Sequence, residues 1–505
     1  MFAALLTCAL LAPPVSALDL PMSGEVTATS ALVQTRPVSG RGTQAGHFEL
    51  ATDAAFTDPR EGEWRLAVGP LTGTMPRQDG TMVDASGDGI VRERFDGLKP
   101  DTRYFYRWQP DHAEPGRTGT FRTLPGADST ARVSFAVVTG LNYARWQSSD
   151  VTEEEKARGY PMLEAIQQSD PTFAVFTGDT VYYDTPVEGR AETREAMRAK
   201  WHENFAQPRF REFLAHVPVF HMKDDHDFRR DDADRTGDDA PSPELGIDVF
   251  REQVPVVPQQ IAFGAEPPTY RTVRCNKDLQ LWFVEGRDDR SPNRMEDGPG
   301  KTLWGEEQYQ WLTRTLKESD ATFKVLVSPT PLVGPDDRRK RDNHTNIGGF
   351  RHERDRFFSF LEGEGMIDSG EFLVICGDRH WQYHAEHPIS VHEFSSGAIH
   401  DANSRAGRRA GDPQSTDPEG KIVQHYLMGR ESIISNDGEG LEQYGAPPRG
   451  GYLFVRTDRG RWRGGEEEPR LHLIFNVSNE SVPPAERNRL KSRVYEYYWY
   501  RKDGR

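Results

Sequence analysis

Three cysteines among 505 residues are too few for a disulfide framework, and only Cys275 and Cys376 lie beyond the apolar N-terminal stretch. Neither has the spacing of a zinc finger, so a cysteine-built structural zinc is excluded, while one bridge between the two stays open. Past the N-terminus no run approaches the ~20 continuous apolar residues that a membrane-spanning helix needs. Positive charge is also in deficit. Lys and Arg number 63 against 79 Asp and Glu, a formal net charge of −16, which excludes a general attraction to nucleic acid or anionic membrane. An anionic substrate must therefore be drawn by local cations, either bound metal ions or an arginine cluster. There is no Gly-x-Ser-x-Gly elbow for a serine nucleophile, no internal repeat and no low-complexity tract. Nothing in the residues points to an oligomeric state.

What is present is the composition of a folded protein, with 35% hydrophobic residues, 10 Trp, 16 Tyr and 26 Phe supplying a sizeable core. The length predicts two to four units at ~150 residues each. The first residues, MFAALLTCALLAPPVSALDL, are almost wholly apolar from 2 to 12 and offer Val15-Ser16-Ala17 as a small-x-small cleavage pattern. Residues 1–17 are read as a signal peptide, which predicts a secreted or periplasmic protein, although the leader carries no Lys or Arg. A buried first strand or helix is the bland alternative, and a lipid anchor at Cys8 would leave almost no leader.

Residues 18–127 alternate apolar and polar positions in short runs such as ALVQTR, HFELATD and TRYFYRWQP, separated by Gly, Pro and Asp turns. That pattern predicts an all-β sandwich. GLKPDTRYFYRW is similar to the turn of fibronectin type III and Ig-like domains, with Tyr104 placed for a tyrosine corner. No titratable cluster lies there, so an accessory role is expected.

After a linker around Pro125 and Gly126 the pattern changes. Over residues 130–505, apolar strands end in polar clusters and alternate with amphipathic stretches such as GEEQYQWLTRTLKES and HERDRFFSFLEGEG. In α/β sheets ligands bind beyond the carboxyl ends of the strands, where these clusters fall. Asp179 follows FAVFTG, Asp225 follows VPVFHMK, and Asp378 and His380 follow FLVIC. An acid after a strand is by itself usually a turn or capping residue. Several such sites together supply the carboxylate oxygens and imidazoles with which two cations ~3.5–4 Å apart hold phosphate and activate water.

At these motifs the chain resembles the PhoD-type (alkaline phosphatase D-like) metallophosphatases of the calcineurin-like metallophosphoesterase superfamily. GDTVYY, KDDHDFRRDDAD, EGRDDRS, LWGEEQYQWL and GDRHW follow the order and character of that family's segments. The resemblance implies an α/β fold, a two-sheet αββα metallophosphoesterase sandwich preceded by an all-β fibronectin III/Ig-like domain. It implies a phosphoric ester hydrolase in which metal-bound hydroxide attacks phosphorus at a dinuclear site. It further implies Asp179 as bridging carboxylate, Tyr182 as a phenolate-type ligand, and Asp225, Asp378 and His380 as metal ligands. Asp231 stands where many members have Asn. A cysteine ligand common in the family is replaced by Gly140 in VTGLNY, which leaves Asn142 as a candidate amide ligand. Loss of that thiolate favours divalent Ca, Mn or Zn over ferric iron, with Fe still in the set.

His226 is a candidate to protonate the leaving group or hold a phosphate oxygen, or else a histidine paired with Asp224 or Asp227. Arg287 and Arg290 either bind phosphate or pair with Asp288 and Asp289. The basic loop DDRRKRDNHTN, with His344 as a candidate substrate contact, either lines the mouth or is a solvated loop. The expected partner is a small phosphate ester. Two other readings stand: phosphodiesterase or phospholipase D-like activity on the same site, and a catalytically degenerate metal- and glycan-binding protein.

Overall fold

The structure, a computed structural model, describes residues 20–37, 44–62, 66–68, 74–76, 82–84, 88–256, 268–401, 407–428, 450–461, 467–477 and 493–501. The leader expected at residues 1–17, with Cys8, lies outside them. Among the described residues no helix is long and apolar enough to cross a membrane.

Two large sheets pack face to face, and helices cover their outer faces. Three parallel strands, Ser134–Leu141, Phe173–Phe176 and Val219–His221, form the centre of the first sheet. Leu279–Phe283, Phe323–Ser328, Phe372–Cys376 and His392–Ser396 run parallel in the second. Parallel strands buried on both faces carry unbroken apolar runs, and alternation assigns each residue its layer. Phe135, Val137, Phe173 and Val175 meet Leu281, Phe283, Val325 and Ile375 between the sheets. Their neighbours Ala136, Val138, Ala174 and Phe176 face helix residues Leu163, Ile166, Trp201 and Phe213. Trp282, Leu326 and Val374 do the same on the far side against Leu312, Leu316, Phe357 and Leu361. The result is the four-layer αββα sandwich.

Within residues 18–127, strands Gln44–Ala51, Arg103–Pro110 and Gly119–Arg122 belong to a separate antiparallel sheet. The Tyr104 hydroxyl accepts a hydrogen bond from the Lys99 amide at 2.9 Å, closing the turn as a tyrosine corner does. Three other strands of this segment leave that sheet. Met22–Gly24 pairs with Val219–His221, and Ser30–Thr35 and Val91–Asp96 follow outward, so the first sheet extends into the N-terminal segment.

A polar clasp secures that extension. The Asp88 carboxylate accepts from His202 Nε2 at 2.5 Å and from Gln253 Nε2 at 2.9 Å, and pairs with Arg36 at 3.1 Å. Burial alone would raise the Asp88 pKa, but His202, Arg36 and Gln253 together outweigh it and hold the carboxyl below its ordinary value. The clasp is therefore at full strength above the unfolded carboxyl pKa of ~4 and is lost as pH falls through the depressed folded value. Breaking one partner of a buried pair costs about 3–5 kcal/mol. Asp88→Ala is expected to lose ~3 kcal/mol of unfolding free energy at pH 7, with a gap to the parent that narrows toward pH 3 in urea titrations.

Candidate metal centre

The chemistry-bearing residues converge because the parallel strands of both sheets end on the same side of the sandwich. Backbone geometry aims them. After Phe173–Phe176, Gly178 and Asp179 take φ of 103° and 54°, and after Phe372–Cys376, Asp378 takes φ of 58°. Left-handed conformations in residues with a Cβ are costly and persist where the surroundings impose them. A Cβ on Gly178 would stand 2.4 Å from Asp224 Cβ, so only glycine lets the two acid-bearing loops approach.

The first group is built on Asp179. His380 Nε2 lies 2.9 Å from Asp179 Oδ2, and the Tyr182 hydroxyl lies 3.4 Å from the same oxygen. On the far side of the imidazole, Asp401 Oδ2 takes His380 Nδ1 at 2.9 Å, while Asn142 Nδ2 donates to Asp401 Oδ1 at 2.7 Å. The Asn142 carbonyl oxygen caps the helix Tyr143–Gln147 by accepting the Arg145 amide, so Asn142 steadies Asp401 rather than pointing an uncommitted oxygen at the cluster. Burial disfavours a charged imidazole, yet Asp401 and Asp179 outweigh it and push the His380 pKa up to about 10.

The second group comes from the loop after Val219–His221. Asp227 ties it to the first, accepting the amides of Asp224 at 2.6 Å and Thr180 at 3.1 Å. Asp225, Asp179 and His226 offer donor atoms within 4.8 Å of one another. Burial would raise the Asp225 pKa, but His226, Arg287 and Lys340 hold it below the carboxylate range. His226 pairs with neither Asp224 nor Asp227. Its Nδ1 lies 2.8 Å from Asp184 Oδ1, and its ring stacks on Tyr182 with centroids 4.2 Å apart. Asp231 sits at the rim with its side chain 68% exposed, close to Lys340, and groups with Asp225 and Asp232.

The predicted arginines are inside rather than at the surface. Arg287 is fully buried; its Nε and Nη2 donate to Asp224 at 2.8 and 2.5 Å, and its Nη1 donates to the Ala233 carbonyl at 2.8 Å. Its partner is thus Asp224, while Asp288 pairs with Lys223 and Arg251. Arg290 donates to the carbonyls of Asp342 and Ala233, and burial, with Arg287 adding, lowers its pKa to about 10. Asp378 pairs with Arg379, which also reaches Asp336 at 2.7 Å. Burial raises the Asp378 pKa to about 6, Asp342 and Asp225 adding to it against Arg379 and Lys340. His344 is buried behind the mouth, bonded to Glu353 at 2.9 Å and packed on Trp304. The basic loop before it borders a basin of ≈1070 Å³ through Arg339, Lys340 and Arg341, together with Arg230, Asp231 and Arg294.

This centre fits cations. Among the described residues, Asp179 Oδ1, Asp224 Oδ2 and both Asp342 oxygens are buried without a hydrogen-bond partner. A buried carboxylate oxygen without a partner is costly, and a cation is the natural remedy. The donors are carboxylates, imidazoles and a phenol, with no thiolate. Cys275 and Cys376 are free, buried thiols, and Cys376 is bonded to the Tyr383 hydroxyl. At Gly140 the φ is 64° and a Cβ would meet Ala398 Cβ at 2.5 Å, so the fold leaves no room there for a thiol.

No motif marks Asp184, Asp342 or Asp401. The only signal for Asp401 is an acid following a short strand, Ala398–His400, which pairs with Ser134–Leu141. Asp401→Asn is expected to weaken metal binding about 10–100-fold, as loss of a histidine-orienting carboxylate does. Competition against a chelating dye measures it, and an unchanged affinity removes Asp401 from this role.

The αββα frame, with acids and imidazoles gathered at the strand ends of both sheets, is the architecture of the metallophosphatases. The chain belongs to the PhoD-like phosphatase family, whose model matches residues 135–430, and the N-terminal domain of that family matches residues 21–125. It is 22% identical over 377 residues to alkaline phosphatase D of Bacillus subtilis (strain 168), covering 66% of this chain. The match spans 60% of that curated relative's length. The solved structure of PhoD superposes with a TM-score of 0.66 at 16% identity, covering 95% of this chain and 88% of the other. The purple acid phosphatase from yellow lupin (Lupinus luteus) seeds gives 0.56 at 10% identity, covering 96% and 75%. These likenesses show a shared fold.

Proposed function

We propose that the protein is a secreted phosphoric ester hydrolase dependent on two divalent cations. The observation that carries the reading is the partnerless, buried Asp179 oxygen with His380 and Tyr182 on one side and Asp225 on the other, and Asp231 and Asp378 would complete the ligand set. Once bound, two such ions would polarise a phosphoryl oxygen and make hydroxide available near neutral pH. Calcium, manganese or zinc suits the oxygen- and imidazole-rich donors. Export rests on the apolar residues 2–12 and the cleavage pattern before Leu18, and N-terminal sequencing of exported protein tests it.

The rest of the work falls to the chain. Arg230, Arg294, Arg339, Lys340 and Arg341 outnumber Asp231, Asp232, Asp234 and Asp342 around the basin and would draw a phosphate dianion to a protein of negative net charge. Arg287, Arg290 and Arg379 hold Asp224, the loop at Asp342, and Asp378 in place. Burial opposes a charged His226, but Asp225, Asp179 and Asp184 keep its pKa well above the ordinary value in the metal-free protein. With Nδ1 fixed by Asp184, the other nitrogen gives a proton to the leaving oxygen. Turnover of an aryl phosphate, abolished by chelation and restored by added divalent ion, is the expected result; full activity after chelation refutes the reading. The open basin also admits a second substituent on phosphorus, so a phosphodiester is the second substrate class to assay, with a sulfate ester as the control.

The His380 pKa gives a pH prediction. Its proton, held in the metal-free protein up to about pH 10, must leave before the nitrogen can ligate. Apparent metal affinity is therefore expected to rise with pH between 6 and 9, with proton release on binding. Calorimetry in buffers of different ionisation enthalpy reads the proton count, and a count of zero removes His380 as a ligand.

A further inference from the structure

Away from this centre, three histidines meet on the second sheet. His384 lies on strand Gln382–Glu386, His392 on its neighbour His392–Ser396, and His425 on the opposite neighbour Val423–Leu427. Regular alternation would send His425 to the face opposite Tyr426. The register skips at His384/Ala385, with Tyr426 opposite His384 and Gln424 opposite Ala385, so His425 is the bulged residue. Bulges re-aim side chains. Here the bulge brings the His425 ring to 4.5 Å from that of His384 and 5.5 Å from that of His392.

We infer that His384, His392 and His425 form a second metal site, suited to a divalent transition-metal cation of the zinc type. One nitrogen from each ring lies within 4.8 Å of the others, and His384 Nε2 and His392 Nδ1 are 2.9 Å apart. Three imidazoles with a water or substrate in a fourth position is an established zinc arrangement, with Zn–N of ~2.0–2.1 Å.

The surrounding groups make the stronger case. Metal-bound histidines characteristically commit the other ring nitrogen to a carboxylate, carbonyl or hydroxyl that fixes tautomer and orientation. Two of the rings here do so, and the third comes within ion-pair distance of a carboxylate. His384 Nδ1 lies 3.0 Å from the Tyr495 hydroxyl. His425 Nε2 lies 2.9 Å from Glu386 Oε2, and His392 Nε2 lies 3.5 Å from the same oxygen. The assigned ligand atoms are accordingly His384 Nε2, His392 Nδ1 and His425 Nδ1. Tyr497 stands edge-on to His384 and Trp499 to His392, each with centroids 4.6 Å apart, and they cover that side of the cluster. Tyr495, Tyr497 and Trp499 lie on strand Arg493–Tyr500 at the edge of the first sheet. An ion here would pin the second sheet under that strand, away from the basin.

The test uses the full chain, stripped with chelator and dialysed against buffered zinc, beside His425→Gln, whose side chain is partly exposed and is the mildest to replace. The parent is expected to retain one more equivalent of zinc than the variant, and phosphatase turnover to be equal in the two. Equal zinc content overturns the site. Should the variant not fold, anomalous diffraction from zinc-soaked parent decides. A peak bounded by the three imidazoles upholds the proposal, and its absence while zinc fills the Asp179 centre overturns it.

Discussion

Asp179→Asn is expected to abolish turnover of an aryl phosphate and to lower bound metal at the centre by at least one ion per chain. The expectation rests on geometry. Asp179 stands between the donor groups, with Oδ2 against His380 and Tyr182, donor atoms of Asp225 and His226 within 4.8 Å, and Oδ1 buried with no partner. An amide in its place keeps the shape but supplies a neutral oxygen and a nitrogen that repels cations, so the loss is electrostatic rather than steric. The left-handed φ of 54° tolerates Asn as well as Asp, which keeps the fold intact and the result interpretable. A fold-competent Asp179→Asn protein that retains both metal and turnover would sink the proposed centre as a whole.

His226→Ala separates the chemistry from the metal. Turnover is expected to fall about 10²–10⁴-fold, the usual worth of a positioned proton donor, while elemental analysis gives the parent's metal content. The argument is that His226 is fixed from two sides, by Asp184 at Nδ1 and by the Tyr182 ring, with its charge sustained by the surrounding carboxylates. Substrates with a poor leaving group should lose most, because they need the proton most, and a p-nitrophenyl ester least. A loss of metal matching the loss of rate would instead assign His226 to the ligands.

How far these features could be read from residues alone differs from element to element. GDTVYY and GDRHW were legible because a Gly-Asp pair after an apolar strand is dictated locally: the turn needs the glycine, and the acid follows it. The four layers followed from the family resemblance, because strands apolar on both faces do not show which face takes Phe135 and Val137 and which takes Ala136 and Val138. Strand partners are a different matter. Alternation in residues 18–127 says that strands form but not that Met22–Gly24 pairs with Val219–His221. Asp401 and Asp184 were invisible because their importance comes from imidazoles that lie far along the chain. The roles of Arg287 and His344 turned on burial, which a charged residue in a polar run does not announce; each proved to be enclosed and paired, with Asp224 and Glu353.

The first catalytic strand has its antiparallel neighbour very late in the chain. Ser134–Leu141 is flanked by Gly451–Arg461, with Phe135 opposite Val455, and Glu467–Val477 and Arg493–Tyr500 follow outward. Loop-closure entropy makes so distant a pairing slow to form. Until it forms, one edge of Ser134–Leu141 stays open and the apolar residues Leu453, Val455, Leu471 and Leu473 lack their places between the sheets. Synthesis of such a chain thus separates making the ligands from assembling them. All the acids of the centre are made before Gly451–Arg461, so the donor set is complete in sequence before it is complete in space.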